Sequence, residues 1–324
     1  MRSLQIVAPG EAVIQQLPIP KPAPGQVLVK VLAVTTCPHW DLHVLAGEPM
    51  FPGGTLEYPY QPGQPGHEAC GDIAAVGEGV TSVEVGERVC AWRDQGHGRP
   101  GCYAEYVLID EPNVIRVPND LPAEACAPLE LAMCMSAHVM FAERLGAIAG
   151  RRVGVFGLGP AGLVAVQLLR AAGAAEVVGF DPLPQRRALA GEYGADPVLD
   201  PASPEAKAFP ARNTPGCLGC AIDCVGTSAA VHEAMRVTQD LVVLFAVQRE
   251  PYVFAPEYWG GFTLAGTQPH SREAAQYAVE RIRAGTLDLG GLVTARLPLS
   301  EYTKGVDMLR RKEAVKVAFL PAEG

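Results

Sequence analysis

The chain has 324 residues, enough for two domains with full cores; 48% are hydrophobic and 19% charged, an ordinary balance for a globular protein. A formal charge of −9 argues against nucleic acid or an anionic membrane as a partner, and no apolar run reaches the length of roughly 20 residues that a membrane helix needs. The amino terminus, Met1 to Gly10, reads as a first strand and not as a signal peptide. Nine cysteines, an odd number, without an export signal imply reduced thiols, potential metal ligands and a cytoplasmic protein.

Residues 1–125 are rich in valine, glycine and proline, with short alternating runs such as Gln26–Val34, Gly71–Val76, Arg88–Trp92 and Tyr103–Ile109. Punctuated by Pro-Gly turns, they predict a mostly β domain with barrel-like closure. From about Ala127 the texture becomes helical, and strand and helix then alternate over 151–157, 160–172, 176–181, 184–194, 218–224, 228–238 and 241–247. That alternation predicts a doubly wound parallel sheet. A helix at 271–285 follows, then strand-like segments at 292–297 and 315–320 that the pattern alone assigns to neither domain.

The most specific local signal is Gly157-Leu-Gly159-Pro160-Ala161-Gly162, a GxGxxG turn directly after a β-branched run. Gly157 permits the tight turn, Gly159 lets the backbone approach a pyrophosphate, and Gly162 lets the following helix pack on the strand. The amino end of that helix offers free N–H groups and a positive dipole end. Asp181, 24 residues after Gly157, ends the second strand, where a carboxylate accepts ribose hydroxyls and repels a 2′-phosphate. NAD is therefore expected over NADP, with Arg186 and Arg187 as the counterweight and Arg186 in reach of the ribose.

Cys37, His67 and Glu68 supply thiolate, imidazole and carboxylate from two strand ends of the β region, the atom types zinc prefers. Cys217-Leu-Gly-Cys220 is a lone CxxC, read as a loop entering a strand.

A β domain followed by this dinucleotide unit resembles the medium-chain dehydrogenase/reductase superfamily of the zinc alcohol dehydrogenase type. The markers are Pro24-Gly25, Gly66-His67-Glu68, Gly71, Val76-Gly77, Val85-Gly86, Tyr103-Ala-Glu-Tyr106, the Gly157–Asp181 unit, Ile222–Gly226 and Val315-Lys-Val317. The resemblance implies an α/β fold, a Rossmann doubly wound parallel sheet plus a mostly β, GroES-like barrel domain. It implies a catalytic domain of residues 1–127 and 269–324, and an NAD-binding domain of 128–268. It also implies a site with Cys37 and His67 as zinc ligands, Glu68 binding or exchanging with water, and Val225 and Lys316 among the cofactor contacts. Asp41 is expected to accept the N–H of His67, and His43 to pass protons near the nicotinamide ribose. A homodimer or homotetramer paired along Phe262–Gly266 is expected, with a small alcohol, aldehyde or ketone as substrate.

Three departures bear on the metal. Asp41 follows Cys37 by four positions where the family has three. The further ligand, due 24 or 25 residues before Gly157, falls on Met133 or Ala132, which bind no zinc; Glu130 and Cys134 flank that spot as substitutes. The four-cysteine lobe is shortened to Ala91–Gly101, so no structural zinc is expected. The position before Asp41, a serine or threonine in the family, is Trp40. Two rival readings stay open: a zinc-free NAD(P)H-dependent reductase of an activated C=C or carbonyl, and an NAD(H)-binding protein without turnover.

Overall fold

The valine-rich run at 26–35 is buried at most positions, so it reads as a nearly continuous apolar segment and becomes the central strand of the amino-terminal sheet. The computed structural model describes residues 1–51, 53–267 and 270–323. They divide into two compact units, Met1–Leu131 with Asp288–Gly324, and Ala132–Leu287.

The first unit begins with the hairpin β1 (Arg2–Ala8) and β2 (Glu11–Gln16). Then come β3 (Gln26–Thr35), helix α1 (Pro38–Ala46), and strands β4 (Glu68–Val76), β5 (Arg88–Ala91), β6 (Tyr106–Asp110) and β7 (Val114–Arg116). Short helix α2 (Ala123–Cys126) leads into α3 (Leu129–Arg144), which opens the second unit. The helical stretch 123–144 is long and apolar enough to cross a membrane by composition, contrary to the expectation from sequence; 72% of its most apolar window is buried inside the protein.

The second unit follows as β8 (Arg152–Phe156), α4 (Pro160–Ala171), β9 (Glu176–Phe180), α5 (Pro184–Glu192), β10 (Val198–Leu199), α6 (Pro204–Lys207), β11 (Leu218–Asp223), α7 (Ser228–Val237), β12 (Thr238–Leu244), β13 (Thr263–Gly266) and α8 (Arg272–Arg283). Its six strands are all parallel, in the order β10-β9-β8-β11-β12-β13. The order reverses between β8 and β11, and in such sheets ligands bind at the carboxyl ends beside that switch point.

The chain rejoins the first unit at Asp288 and not at 269, because α8 stays with the second unit. There β14 (Val293–Pro298), α9 (Tyr302–Arg310) and β15 (Lys316–Leu320) complete a seven-stranded mixed sheet, β14-β15-β3-β4-β5-β7 with β6 on β3. This resolves the segments that the pattern left unassigned: β15 pairs antiparallel with β3 through Ala318 on Thr35 and Phe319 on Val34. The core of this unit holds Val27, Val29, Val31, Val107, Ile109 and an aromatic trio, Tyr103, Tyr302 and Phe319, with ring centroids 5.1–5.6 Å apart.

Candidate active site

Strand β3 ends where α1 begins, and that junction sets the position of Cys37. Pro38 occupies the first helical turn and Cys37 caps it with extended backbone, φ −101° and ψ 102°. Asp41 Oδ2 accepts the Cys37 N–H at 2.8 Å, and Asp41 Oδ1 accepts the hydroxyls of Tyr103 and Tyr302, each at 2.8 Å. The expected contact of Asp41 with His67 is thus corrected. The helix started by Pro38 carries Asp41 one turn on, beside the Cys37 backbone, so it orients the thiol's own residue. Burial raises Asp41 to about 6, against the lowering effect of Tyr302, Tyr103, His67 and the Cys37 N–H.

His67 takes its orientation from Pro65 instead: its Nδ1 lies 2.8 Å from the Pro65 carbonyl. With the proton on Nδ1, Nε2 presents a lone pair, and it stands 3.8 Å from Glu130 Oε2. The Cys37, His67 and Glu68 ligand atoms lie within 4.8 Å of one another. Ligand atoms on a tetrahedral zinc with bonds of about 2.0–2.3 Å stand roughly 3.3–3.8 Å apart, so the thiol, imidazole and Glu68 carboxylate need move by only about an ångström to hold such an ion. Burial disfavours a charged His67, but the Cys37 hydrogen bond and charge, with Glu130 and Asp94, hold its pKa well above the imidazole range. The pocket stabilises positive charge at that point.

Glu68 is held from the other side. Register places it opposite Thr35, whose hydroxyl donates to Oε2 at 2.8 Å. The ammonium of Lys316, fully buried on β15, donates to Glu68 Oε1 and Oε2 at 2.8 and 2.6 Å and to the Thr36 carbonyl at 2.5 Å. Its three donors are therefore spent on these groups. Lys316 is corrected from a cofactor contact to the counter-ion of Glu68. Burial raises the Glu68 pKa, while Lys316 and His67 lower it and Glu130 raises it.

Glu130 lies in the first turn of α3, and Ala132 and Met133 are fully buried, as apolar residues at the vacated ligand spot would be. Cys134 belongs to the second unit, where its thiol and the His270 imidazole lie within 4.8 Å of each other. His43 sits on α1 with Nδ1 3.8 Å from the exposed carboxylate of Glu48. The Ala91–Gly101 segment brings in groups whose role the sequence left open. Asp94 and His97 gather near His67, while Arg99 is tied to Asp110 by two bonds of 2.7 and 3.0 Å. Burial works to raise the Asp94 pKa, but the imidazoles of His97 and His67 and the Gly96 N–H hold it well below the carboxylate range.

In the second unit the glycine turn has the geometry its spacing demands. Gly157 has φ +87°, and a Cβ on Gly162 would meet Gly157 O at 1.9 Å. Among the described residues, a Cβ on Gly159 would meet Arg186 Nη1 alone, at 3.7 Å, so the backbone there stays open to close approach. Pro160 and Ala161 open α4, with Gly159 at its amino cap. Asp181 is buried, its oxygens accepting the N–H groups of Leu158 and Leu183 at 2.8 Å each. Two of about four carboxylate acceptor positions remain. Arg186 Nη1 is 3.7 Å from Asp181 Oδ2, and Val225 abuts Gly157 at the end of β11.

Residues 23–119 match the model of the alcohol dehydrogenase GroES-like domain, and residues 160–254 that of the zinc-binding dehydrogenase domain. The chain is 31% identical to (R,R)-butanediol dehydrogenase of Bacillus subtilis over 250 residues, 69% of this chain and 70% of that one. It is 26% identical to L-threonine 3-dehydrogenase of Caldanaerobacter subterraneus, covering 94% and 93% of the two chains. Among solved structures, a zinc-binding dehydrogenase from Sinorhizobium meliloti bound to NADP superposes with a TM-score of 0.83 at 26% identity, over 99% of both chains. With the GroES-like sheet, the doubly wound sheet and these matches together, the chain belongs to the zinc-binding alcohol dehydrogenase family of the medium-chain dehydrogenase/reductase superfamily, and is an oxidoreductase.

Proposed function

We propose that the protein is an NAD-dependent dehydrogenase that interconverts a small alcohol and its aldehyde or ketone, with one catalytic zinc. The observation that carries this reading is the clustering of Cys37, His67 and Glu68, with Glu130 beside His67, in a chain that also has a GxGxxG turn. Cys37, His67 and Glu130 would hold the ion, while both Glu68 oxygens accept from Lys316. Such an ion supplies Lewis acidity to an alcohol or carbonyl oxygen, and the nicotinamide supplies the hydride chemistry. The chain's own residues do the rest. Asp41 orients the residue that carries the thiol, Pro65 orients the imidazole, and His43 passes a proton toward solvent by way of Glu48. A reduced, cytoplasmic setting agrees with nine free thiols.

NAD is preferred because the Asp181 carboxylate opposes a 2′-phosphate. The relative that holds NADP and the position of Arg186 favour the second reading, NADP. Nicotinamide absorbance with a panel of secondary and vicinal alcohols separates them. We expect kcat/KM with NAD to exceed that with NADP by about tenfold, and Asp181→Ala to remove that margin, the equivalent of ~1.4 kcal/mol. A wild type faster with NADP places Arg186 and Arg187 on the phosphate. No turnover with either nucleotide would leave a binding protein.

A sheet edge supports a proposed assembly. Among the described residues, strand β13 ends the parallel sheet with one side unpaired, and Trp259, Val253 and Phe254 before it are 86%, 66% and 48% exposed. Pairing of β13 with a second copy would cover that edge. Light scattering at micromolar concentration should give twice or four times the 34.2 kDa chain mass; the mass of one chain would refute the pairing.

A further inference from the structure

The Ala91–Gly101 segment approaches His67 with donors that the proposed catalytic set does not use. An Asp94 oxygen, a His97 nitrogen and a His67 nitrogen all lie within 4.8 Å of one another. His97 Nε2 is buried and lies 3.4 Å from Asp94 Oδ2, with a His67 nitrogen in the same cluster. Its other nitrogen, Nδ1, lies 2.7 Å from the Tyr60 hydroxyl, and the Trp40 ring packs on the imidazole at 3.9 Å between centroids. Imidazoles that bind metals are held this way, with the second nitrogen on an oxygen that fixes ring and tautomer. Asp94 is anchored too: Oδ1 accepts the Gly96 N–H at 2.8 Å, which leaves Oδ2 turned to the imidazole. Each donor is thus pre-positioned by a contact that is not itself a ligand.

We propose that His67, Asp94 and His97 form a second position for a divalent cation, alternative to the one at Cys37. This rests on the catalytic reading above only in that both positions use His67. Because Nδ1 of His67 faces the Pro65 carbonyl, one Nε2 lone pair remains, and the two donor sets take an ion in turn rather than together. Two imidazoles and a carboxylate without thiolate select borderline divalent ions such as Zn²⁺, Co²⁺ or Fe²⁺. Trp40 stands where the family carries a small hydroxyl residue, and its ring face holds His97 in the ligating orientation.

The test is a cobalt titration of the metal-free full chain, read by absorption and by competition with a chelator. Wild type should take about one ion per chain with a near-ultraviolet thiolate-to-cobalt band. Cys37→Ala should still bind an ion, without that band but with visible ligand-field bands. Adding His97→Ala, or Asp94→Asn, to Cys37→Ala should weaken binding by about tenfold or more. His97→Gln, which keeps a polar group against Tyr60, gives the same loss should the alanine variant not fold. Failure of Cys37→Ala to bind cobalt, or equal affinity with and without His97, overturns the second position. A wild type lacking the thiolate band refutes the Cys37 site instead, so the two failures are told apart.

Discussion

Replacing Cys37 by serine is expected to lower kcat/KM by about three orders of magnitude, the several kcal/mol that a Lewis-acid metal contributes to this kind of step. Serine is the sharp probe because it is nearly isosteric and is itself a favoured helix cap, so α1 should start as before. Its hydroxyl is a poor ligand at neutral pH, which leaves His67 and Glu130 as an incomplete set, since catalytic zinc sites normally use three protein ligands. NADH binding, followed by nicotinamide fluorescence, should stay unchanged, because the glycine turn lies in the other unit. The variant should also lose the thiolate-to-cobalt band, whatever its total metal content. Activity retained above about a tenth of wild type, a loss under ~1.4 kcal/mol, would remove the metal from the chemistry and favour the zinc-free reductase.

Lys316→Met is expected to destabilise the first unit by about 3–5 kcal/mol, the cost of leaving a buried charge without its partner. Lys316 is fully buried, Glu68 nearly so, and the ammonium is shared among both Glu68 oxygens and the Thr36 carbonyl. The loss should depend on pH with a definite sign. Burial already raises the Glu68 pKa, and removing Lys316 raises it further. The folded variant then binds a proton that the unfolded chain has released, so its stability falls as pH rises from the ordinary carboxylate range through the folded pKa, and recovers in acid. Glu68→Gln in the same chain should restore most of the loss, since an amide needs no cation. Urea unfolding of the two single variants and the double variant measures the coupling. A single Lys316→Met variant within about 1 kcal/mol of wild type would mean that the pair is no stronger than a surface ion pair.

The sequence by itself determined the features whose physics is local. Gly157, Gly159 and Gly162 are required by a turn and a helix–strand approach spanning six residues, so their spacing alone located that turn between β8 and α4. The alternation of β8 through β12 with their helices was legible for the same reason: each element carries its own period of burial. Helix α1 was not legible, because its buried stripe is Asp41, Val44 and Leu45, and a carboxylate at a core position breaks the apolar pattern. Only tertiary structure explains that carboxylate, through Tyr103 and Tyr302, which lie 62 and 261 residues away. Lys316 likewise reads, through the family resemblance, as a cofactor contact until β15 pairs with β3 and sets it on Glu68, 248 residues distant. The same holds for Asp94 and His97, loop residues whose approach to His67 no spacing encodes. Local backbone chemistry is written in consecutive residues; the balance of buried charge is decided by strand register and chain return, where sequence separation carries no information.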